Sequence, residues 1–399
     1  MNLIALKSPT YRRYLIGSAA AVNGMWILRV VVTWLAWQVS GSATFVGLVA
    51  ALSLLPTVLT GPIFGVMVDR HSIIRAAYGT NIAMMSAAVV IMIGLTQDAI
   101  TQPFLVILAI YIGIITSAHH PMRLSLGPRL VERHQISSVS ALAALNFNLA
   151  RVISPLIAGV VIESMGIMAA LSLTLILYVP NLIIISTLRP RDVTRSSQYQ
   201  SITAALIEGL TYIWAHRYLR LIMIASALFA LSIRAVFEIL PVIADGSFAK
   251  GAVGLGQLGA AIGSGSLIAA LLKTIGTSER IAALSPRTLW IGTFGIFAML
   301  LVTNAPNWPL ALIGAASMGF TATHTGISFQ SEIQTDLPDD IRGRVMSLWG
   351  VIALGSISLG SLILGWMADA VGMGTTGIIV CSIALLAILW ISKHPDRTP

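Results

Sequence analysis

Twelve long runs of apolar residues dominate this sequence and restrict the folds that it can adopt. Each run is close to the ~20 residues that an α-helix needs to cross a bilayer, and about twice the length of a transmembrane β-strand. Only 10% of the 399 residues are charged, against roughly 25% in an average soluble domain. This combination excludes a soluble enzyme, a disordered chain and a coiled coil. We predict an all-α membrane protein with twelve transmembrane helices, at residues 14–39, 43–68, 74–95, 103–126, 136–162, 167–188, 219–244, 251–275, 287–304, 308–330, 345–368 and 374–392.

The distribution of Lys and Arg orients these predicted helices. With both chain ends in the cytoplasm, 20 of the 24 Lys and Arg residues fall on the cytoplasmic side, and one, Lys250, falls on the outer side. Cytoplasmic loops of membrane proteins carry such an excess of positive charge. We therefore attribute the net charge of +9 to loops that face anionic lipid, and we expect no nucleic-acid partner.

The longest predicted loop separates the sixth and seventh spans. It begins with charged and polar residues, and residues 201–217 then carry apolar side chains at near-helical spacing, namely Ile202, Leu206, Leu210, Ile213 and Trp214. This pattern predicts a flexible linker followed by an amphipathic helix on the inner membrane surface, with a plain solvated linker as the alternative. The predicted domains are a six-helix bundle over 1–190, the linker with its helix over 191–217, and a second six-helix bundle over 218–399.

The two halves of the sequence resemble each other at an offset of 205–206 residues. Arg29 aligns with Arg234, His119 aligns with His324, and residues 159–166 align with 365–372. Two parallel six-helix repeats joined by a basic loop are a transporter architecture, in which the substrate site lies between the halves near the membrane midplane.

Three segments resemble motifs of the major facilitator superfamily. The loop after the second span is similar to the superfamily signature, although Ser72, Ile73 and Ile74 replace the usual Gly and basic pair. Residues 146–151 and 337–344 are similar to the branch that contains enterobactin exporters and macrolide-efflux proteins. Residues 150–159 are similar to the Gly-Pro motif of the antiporter branches, with Ala and Ser in place of glycines. The three segments are Gly65-Val66-Met67-Val68-Asp69-Arg70, then Asn146-Phe147-Asn148-Leu149-Ala150-Arg151 followed by Val152-Ile153-Ser154-Pro155, and finally Leu337-Pro338-Asp339-Asp340-Ile341-Arg342-Gly343-Arg344.

This resemblance implies a proton-driven exporter of small organic molecules, including siderophores and drugs, in the bacterial inner membrane. It implies alternating access between two pseudo-symmetric bundles, without a cofactor. It also implies a cytoplasmic gate at Gly65, Asp69 and Arg70. We expect Asp69 to meet a helix N-terminus and a basic neighbour such as Arg129, and Pro155 to bend its helix.

Charged residues inside the predicted spans are the strongest candidates for transport chemistry, because each one is costly to place in a bilayer. Glu238 and Arg234 are four residues apart, and we predict that Glu238 carries the proton while Arg234 responds to its charge. A self-neutralising internal ion pair is the alternative. Arg29, Arg151 and Arg234 outnumber the one acid, which favours an anionic or strongly electronegative substrate.

Further substrate contacts are predicted from polar and aromatic residues near these arginines. Trp26 lies one turn before Arg29, and Thr33 lies one turn after it. His119, Asn148 and His324 complete the set, together with Arg151, although hydrogen bonding between helices is an equal alternative for them. His119 and His120 are adjacent, and adjacent side chains on a helix point in different directions, so we expect no metal site.

The sequence thus predicts a small-molecule exporter that is coupled to protons, works as a monomer and is not an enzyme. One alternative is an importer or facilitator of an organic anion, which the excess of arginine would suit. A second is a membrane sensor or assembly protein without flux. The segment Gly254-Leu255-Gly256-Gln257-Leu258-Gly259 matches a dinucleotide-binding pattern, but it lies within an apolar helix and is discounted.

Overall fold

The described residues form helices joined by short turns, with no β-strand among them. The computed structural model describes residues 4–70, 72–191, 202–275 and 283–393, apart from the side chains at 62, 63, 65–70, 202–205, 274, 275, 336, 339 and 340. Within these ranges the α-helices are α1 (Pro9–Ser40), α2 (Ala43–Arg70), α3 (Ile73–Thr96), α4 (Gln102–Leu126), α5 (Ile136–Met165), α6 (Ile167–Thr187), α7 (Ile202–Ala215), α8 (Arg217–Phe229), α9 (Gly251–Ile275), α10 (Pro286–Asn304), α11 (Trp308–Asp336), α12 (Asp339–Val371) and α13 (Met373–Ser392).

Local sequence explains where many of these helices begin. The side chains of Ser8, Thr101, Ser285 and Asn307 each accept a hydrogen bond from a backbone N–H in the first turn of α1, α4, α10 and α11. A proline occupies the first or second position of these four helices, where its missing N–H costs nothing.

Eleven of the twelve predicted spans coincide with single α-helices, and ten of these eleven helices are long and apolar enough to cross a membrane. The eleventh, α11, has 29 residues and is long enough, but it is more polar because it carries Thr321, His324, Thr325 and Ser328. A helix, α7, lies where the amphipathic helix is predicted, and its position on the membrane surface stays a prediction. Residues 192–201 of the predicted linker lie outside the described part of the chain.

The predicted seventh span, 219–244, is wrong as one regular α-helix. The chain continues from α8 into a π-helical segment, Ala230–Arg234, and a second one, Val242–Ser247. Between them, the N–H groups of Phe237, Glu238 and Ile239 donate to carbonyls three residues earlier, at 3.1, 3.1 and 3.2 Å. Pro241 supplies no N–H donor, which contributes to this break.

Contacts divide the chain into two compact units. The first comprises Met1–Gly41, Leu52–Ser197 and Lys250–Ala260, and the second comprises Ser42–Ala51, Gln198–Ala249 and Ala261–Pro399. The predicted domain boundaries stay a prediction.

The repeat predicted from the sequence is visible in the helix packing of each unit. In the first unit α1 packs against α5 and α6, and α3 packs against α4 and α6. In the second unit α8 with its π-helical extension packs against α12 and α13, and α10 packs against α11 and α13. Gly166 and Gly372, which align in the repeat, occupy equivalent turns at φ values of +86° and +85°. Only glycine adopts such a conformation without strain.

Glycines also permit close helix contacts at equivalent positions of the two units. In the first unit, a Cβ on Gly159 would lie 2.4 Å from the carbonyl oxygen of Ala252 in α9. In the second unit, a Cβ on Gly365 would lie 2.3 Å from the carbonyl oxygen of Ala43 in α2. A larger residue cannot fit at either position without moving the neighbouring backbone.

Candidate functional site

In the first unit, the predicted residues Trp26 and Arg29 come together in the middle of α1. The guanidinium carbon of Arg29 lies 5.5 Å from the centroid of the Trp26 ring, and Arg29 is exposed within a largely buried helix. A cation at this distance from an aromatic face is attracted by the ring quadrupole.

The contact continues through two residues that sequence reasoning did not assign to the substrate. The Trp26 ring meets the edge of Phe147 from α5 at a centroid distance of 5.6 Å, and the guanidinium carbon of Arg123 from α4 lies 4.9 Å from the Phe147 centroid. We call Arg29, Trp26, Phe147 and Arg123 the cation–aromatic ladder. Phe147 lies within the 146–155 motif, so its position in that motif was the available signal.

Other predicted substrate contacts on these helices bind their own backbone. The Thr33 hydroxyl donates to the carbonyls of Arg29 and Val30 at 3.1 Å each, and the Asn148 amide donates to the carbonyl of Ala144 at 2.9 Å. Such bonds satisfy the polar groups without a ligand. Arg151 is half-buried on α5, one turn after Phe147.

His119 lies in a polar interior of the first unit. It is 7% exposed, and its Nδ1 lies 3.3 Å from the hydroxyl of Thr80. A cavity of about 10 Å³ beside it is lined by polar groups that include Asn81 and Asn181, whose side chains share a hydrogen bond of 2.8 Å. This volume suits about one water molecule. His119 therefore packs between helices, and Arg123 lines the same cavity.

In the second unit, Arg234 and Glu238 lie on the broken helix that follows α8. Glu238 is 8% exposed, and its carboxylate is close enough to the half-buried Arg234 guanidinium to interact with it electrostatically. α12 approaches this segment closely, because a Cβ on Gly360 would lie 2.6 Å from the carbonyl oxygen of Leu231. A buried carboxylate next to a cation can change protonation when the cation is engaged or released.

His324, the repeat partner of His119, is also buried in its own unit. It is 6% exposed and stacks on Phe320 with ring centroids 6.1 Å apart. Its Nδ1 has no hydrogen-bond partner among the described residues. Lys273 and Arg287 are its cationic neighbours, and the Lys273 ammonium donates to the hydroxyl of Ser328 at 2.8 Å.

The predicted gating residues are only partly described. The backbone of α2 extends through Gly65, Asp69 and Arg70, but their side chains lie outside the described residues. Arg129 is half-buried in a short 3-10 helix, and its carbonyl accepts from the N–H of Arg191 at 3.0 Å.

Pro155 meets the glycines of α9 within the first unit. A Cβ added to Gly256 would lie 2.6 Å from the carbonyl oxygen of Pro155. A Cβ added to Gly259 would lie 2.7 Å from the Cβ of Pro155. The two helices therefore approach each other closely at this proline.

The architecture matches solved membrane transporters over nearly its full length. The nucleoside transporter NupG aligns with a TM-score of 0.72 at 12% identity, covering 96% of this chain and 98% of that one. A bacterial homologue of the human lysosomal transporter Spinster aligns at 0.69 and 15% identity, covering 96% and 93%. At these identities the likeness shows the fold, which is that of major facilitator transporters.

Sequence comparison defines the family within this class. The chain belongs to the transmembrane secretion effector family of the major facilitator superfamily, whose profile matches residues 2–396. It is 27% identical to the enterobactin exporter EntS of Escherichia coli K12, over 100% of this chain and 96% of that protein. It is 26% identical to the multidrug efflux pump Tap of Mycolicibacterium fortuitum, over 90% and 88%. These relatives indicate a multi-pass membrane efflux transporter with a small-molecule substrate, and not an enzyme.

Proposed function

We propose that this protein exports a small organic molecule in exchange for protons by alternating access. It resides in the bacterial inner membrane with both termini in the cytoplasm, as the 20-to-1 charge split between its two sides favours. The substrate is a siderophore or a drug-like compound, because the similar proteins are an enterobactin exporter and a multidrug efflux pump.

The burial of Glu238 is the observation that carries the proton-coupling part of this proposal. A carboxylate with 8% exposure in a membrane protein is costly unless it is paired or protonated. Arg234 interacts electrostatically with this carboxylate, so a substrate that engages either group changes the surroundings of the other. The broken backbone around Glu238 supports such a change, because its hydrogen bonds are not those of a regular helix.

Direct competition between substrate and proton for Glu238 gives antiport. A neutral or zwitterionic substrate that binds the carboxylate displaces the proton, and the proton returns when the substrate leaves. An anionic substrate that engages Arg234 would instead promote protonation of Glu238, so that substrate and proton move together. We favour the competition mechanism because it accounts for export driven by an inward proton gradient.

The cation–aromatic ladder is the proposed substrate surface of the first unit. Trp26 and Phe147 offer aromatic faces and edges, and Arg29 and Arg123 offer guanidinium groups at both ends. Aromatic rings of a substrate stack on such a surface, and electronegative substituents meet the cations. Thr33, Asn148, Arg151, His119 and His324 remain secondary candidates.

The cytoplasmic gate is proposed from the sequence motif. Gly65, Asp69 and Arg70 would hold the inner side closed through contact with a helix N-terminus and Arg129. The close contact of Pro155 with the glycines of α9 supports a gating role for this part of α5, since small residues permit helices to slide.

The alternative is an importer or facilitator of an organic anion, which the cations of the ladder favour. Purified protein in proteoliposomes separates the two. An inward-directed proton gradient should drive uphill efflux of enterobactin from the proteoliposome lumen when that lumen corresponds to the cytoplasm. Proton-independent, downhill uptake of an aromatic anion such as fluorescein would support the alternative. Binding of either compound without flux would indicate a sensor instead.

A further inference from the structure

The short helix α7 runs nearly perpendicular to the membrane-crossing segment that follows it. The axis of Leu206–Ala215 is bent by 107° from that of Arg217–Arg234. Because the second segment enters the bilayer, α7 lies along the membrane surface. The break between them falls at His216, which stacks on Tyr212 with ring centroids 4.0 Å apart.

One face of α7 is fixed to α12 within the second unit. Gly209 and Ile213 are buried, and a Cβ on Gly209 would lie 2.9 Å from the Leu348 side chain. Glu208 forms an ion pair with Arg344 at the start of α12. These contacts fix the rotation of α7 about its own axis, and this rotation determines which side chains of α7 face away from α12.

A different face of α7 is apolar and exposed. Ile207, Leu210 and Trp214 are 66%, 53% and 69% exposed, and their spacing of three and four residues places them on one stripe. A helix that lies on a bilayer with such a stripe buries it at the boundary between headgroups and acyl chains.

Basic side chains cluster at the C-terminal end of this stripe. Arg217 is exposed, and the guanidinium carbon of Arg220 lies 5.4 Å from the centroid of the Trp214 ring. Arg220 Nη1 also donates to the Trp214 carbonyl at 2.8 Å, so its charge is held beside the aromatic residue. Tryptophan prefers the interfacial zone, and cations beside it lie at the depth of lipid headgroups.

We propose that α7 and the first turn of α8 form a docking element for anionic phospholipid headgroups, with Ile207, Leu210 and Trp214 in the bilayer and Arg217 and Arg220 against the phosphates. Charge complementarity selects this occupant, because anionic lipids in the inner leaflet attract basic segments at the surface. The ion pair between Glu208 and Arg344 transmits the position of the docked helix to α12.

The first test measures the depth of α7 in vesicles that contain phosphatidylglycerol. In a Cys381→Ser background, a nitroxide is attached at Leu210→Cys or at Ala215→Cys, an exposed position about 140° away around the same helix. Leu210 should be accessible to oxygen and shielded from a water-soluble nickel complex, whereas Ala215 should be accessible to nickel. Equal nickel accessibility at the two positions would overturn the proposal.

The second test measures binding of phosphatidylglycerol and phosphatidylcholine to the full-length protein in detergent. Phosphatidylglycerol should bind more tightly, and Arg217→Gln and Arg220→Gln should each weaken its binding about fivefold, from ~1 kcal/mol per cation near an anionic surface. Arg220→Lys keeps the charge and should retain the preference. Arg287→Gln removes an exposed arginine at the start of α10 and should have no effect. Equal affinity for the two lipids, or an equal loss in Arg287→Gln, would contradict the proposal.

Discussion

The carboxylate of Asp369, near the end of α12, caps the start of α2 through Thr44. Its Oδ2 accepts hydrogen bonds from the backbone N–H of Thr44 at 2.9 Å and from the Thr44 hydroxyl at 2.6 Å. Ser42 and Ala43 add bonds of 2.6 and 2.9 Å to the same carboxylate. A negative group in this position satisfies unpaired N–H groups and meets the positive end of the helix dipole. A side chain of one helix thereby fixes the end of another within the second unit.

Replacing Asp369 with Ala should loosen this contact. The loss of an N-terminal cap costs about 1 kcal/mol, which corresponds to about a fivefold rise in local opening. Val46 is fully buried nearby in α2, so a cysteine placed there in a Cys381→Ser background should react faster with an impermeant maleimide in the Asp369→Ala variant. Glu163→Ala removes the acid that aligns with Asp369 in the first unit and serves as the control. Equal labelling rates in the presence and absence of Asp369 would contradict the role of this cap.

Gly360 should tolerate no side chain, because α12 contacts the broken helix there. Gly360→Ala places a methyl group 2.6 Å from the Leu231 carbonyl oxygen and should destabilise the protein by about 1–3 kcal/mol while lowering the transport rate. Gly355 is on the same helix, and an added carbon there meets no heavy atom within 4 Å outside its own stretch of helix. Gly355→Ala should therefore leave the transport rate unchanged and should not lower the stability. Thermal stability in detergent and efflux from proteoliposomes provide the two measurements. Similar behaviour of both variants would rule out this packing constraint.

Removal of Trp26 should weaken substrate binding. Trp26→Ala interrupts the ladder between Arg29 and Phe147, and should raise the KM for export about 2- to 30-fold, on the scale of one desolvated cation–π contact. Trp26→Phe retains an aromatic ring and should lose less. Trp290, which is 73% exposed on α10, is the control position. An unchanged KM in Trp26→Ala would remove the ladder from the substrate site.

The orientation of the chain can be tested by labelling in intact cells. Lys250→Cys should react with an impermeant maleimide from outside, whereas Arg195→Cys and Arg342→Cys should react only after the cells are opened. The reason is the charge split between the two sides of the predicted topology. Labelling of Arg195→Cys from outside would invert the assignment.

The helices were predictable because each span carries its own signal of length and apolarity. The repeat was predictable too, because residues match at a nearly constant offset of 205–206, and the aligned Gly166 and Gly372 both adopt a positive φ. The break in the seventh span was not predictable from the sequence. Apolar composition does not distinguish a π-helical segment from an α-helix, and Pro241 alone indicates only a bend.

The site was less predictable than the fold because it depends on distances between helices. Trp26 and Arg29 are one turn apart and were assigned together from spacing alone. The contacts of Phe147 with Trp26 and Arg123 join three helices, and residue spacing within one helix cannot predict contacts between helices. Asp369 was part of the repeat match, but its hydrogen bonds to α2 arise only when residues more than 320 positions apart meet.

The central claim is that Glu238 carries the proton, and uphill efflux by Glu238→Gln tests it most directly. The variant mimics the permanently protonated acid at a position that is 8% exposed. In proteoliposomes with an imposed pH difference, it should lose gradient-driven accumulation while it retains exchange of substrate for substrate. Glu163→Gln, which changes an exposed acid, should behave as the wild type. If Glu238→Gln accumulates substrate uphill at the wild-type level, Glu238 is not the coupling site, and His119 and His324 become the residues to test.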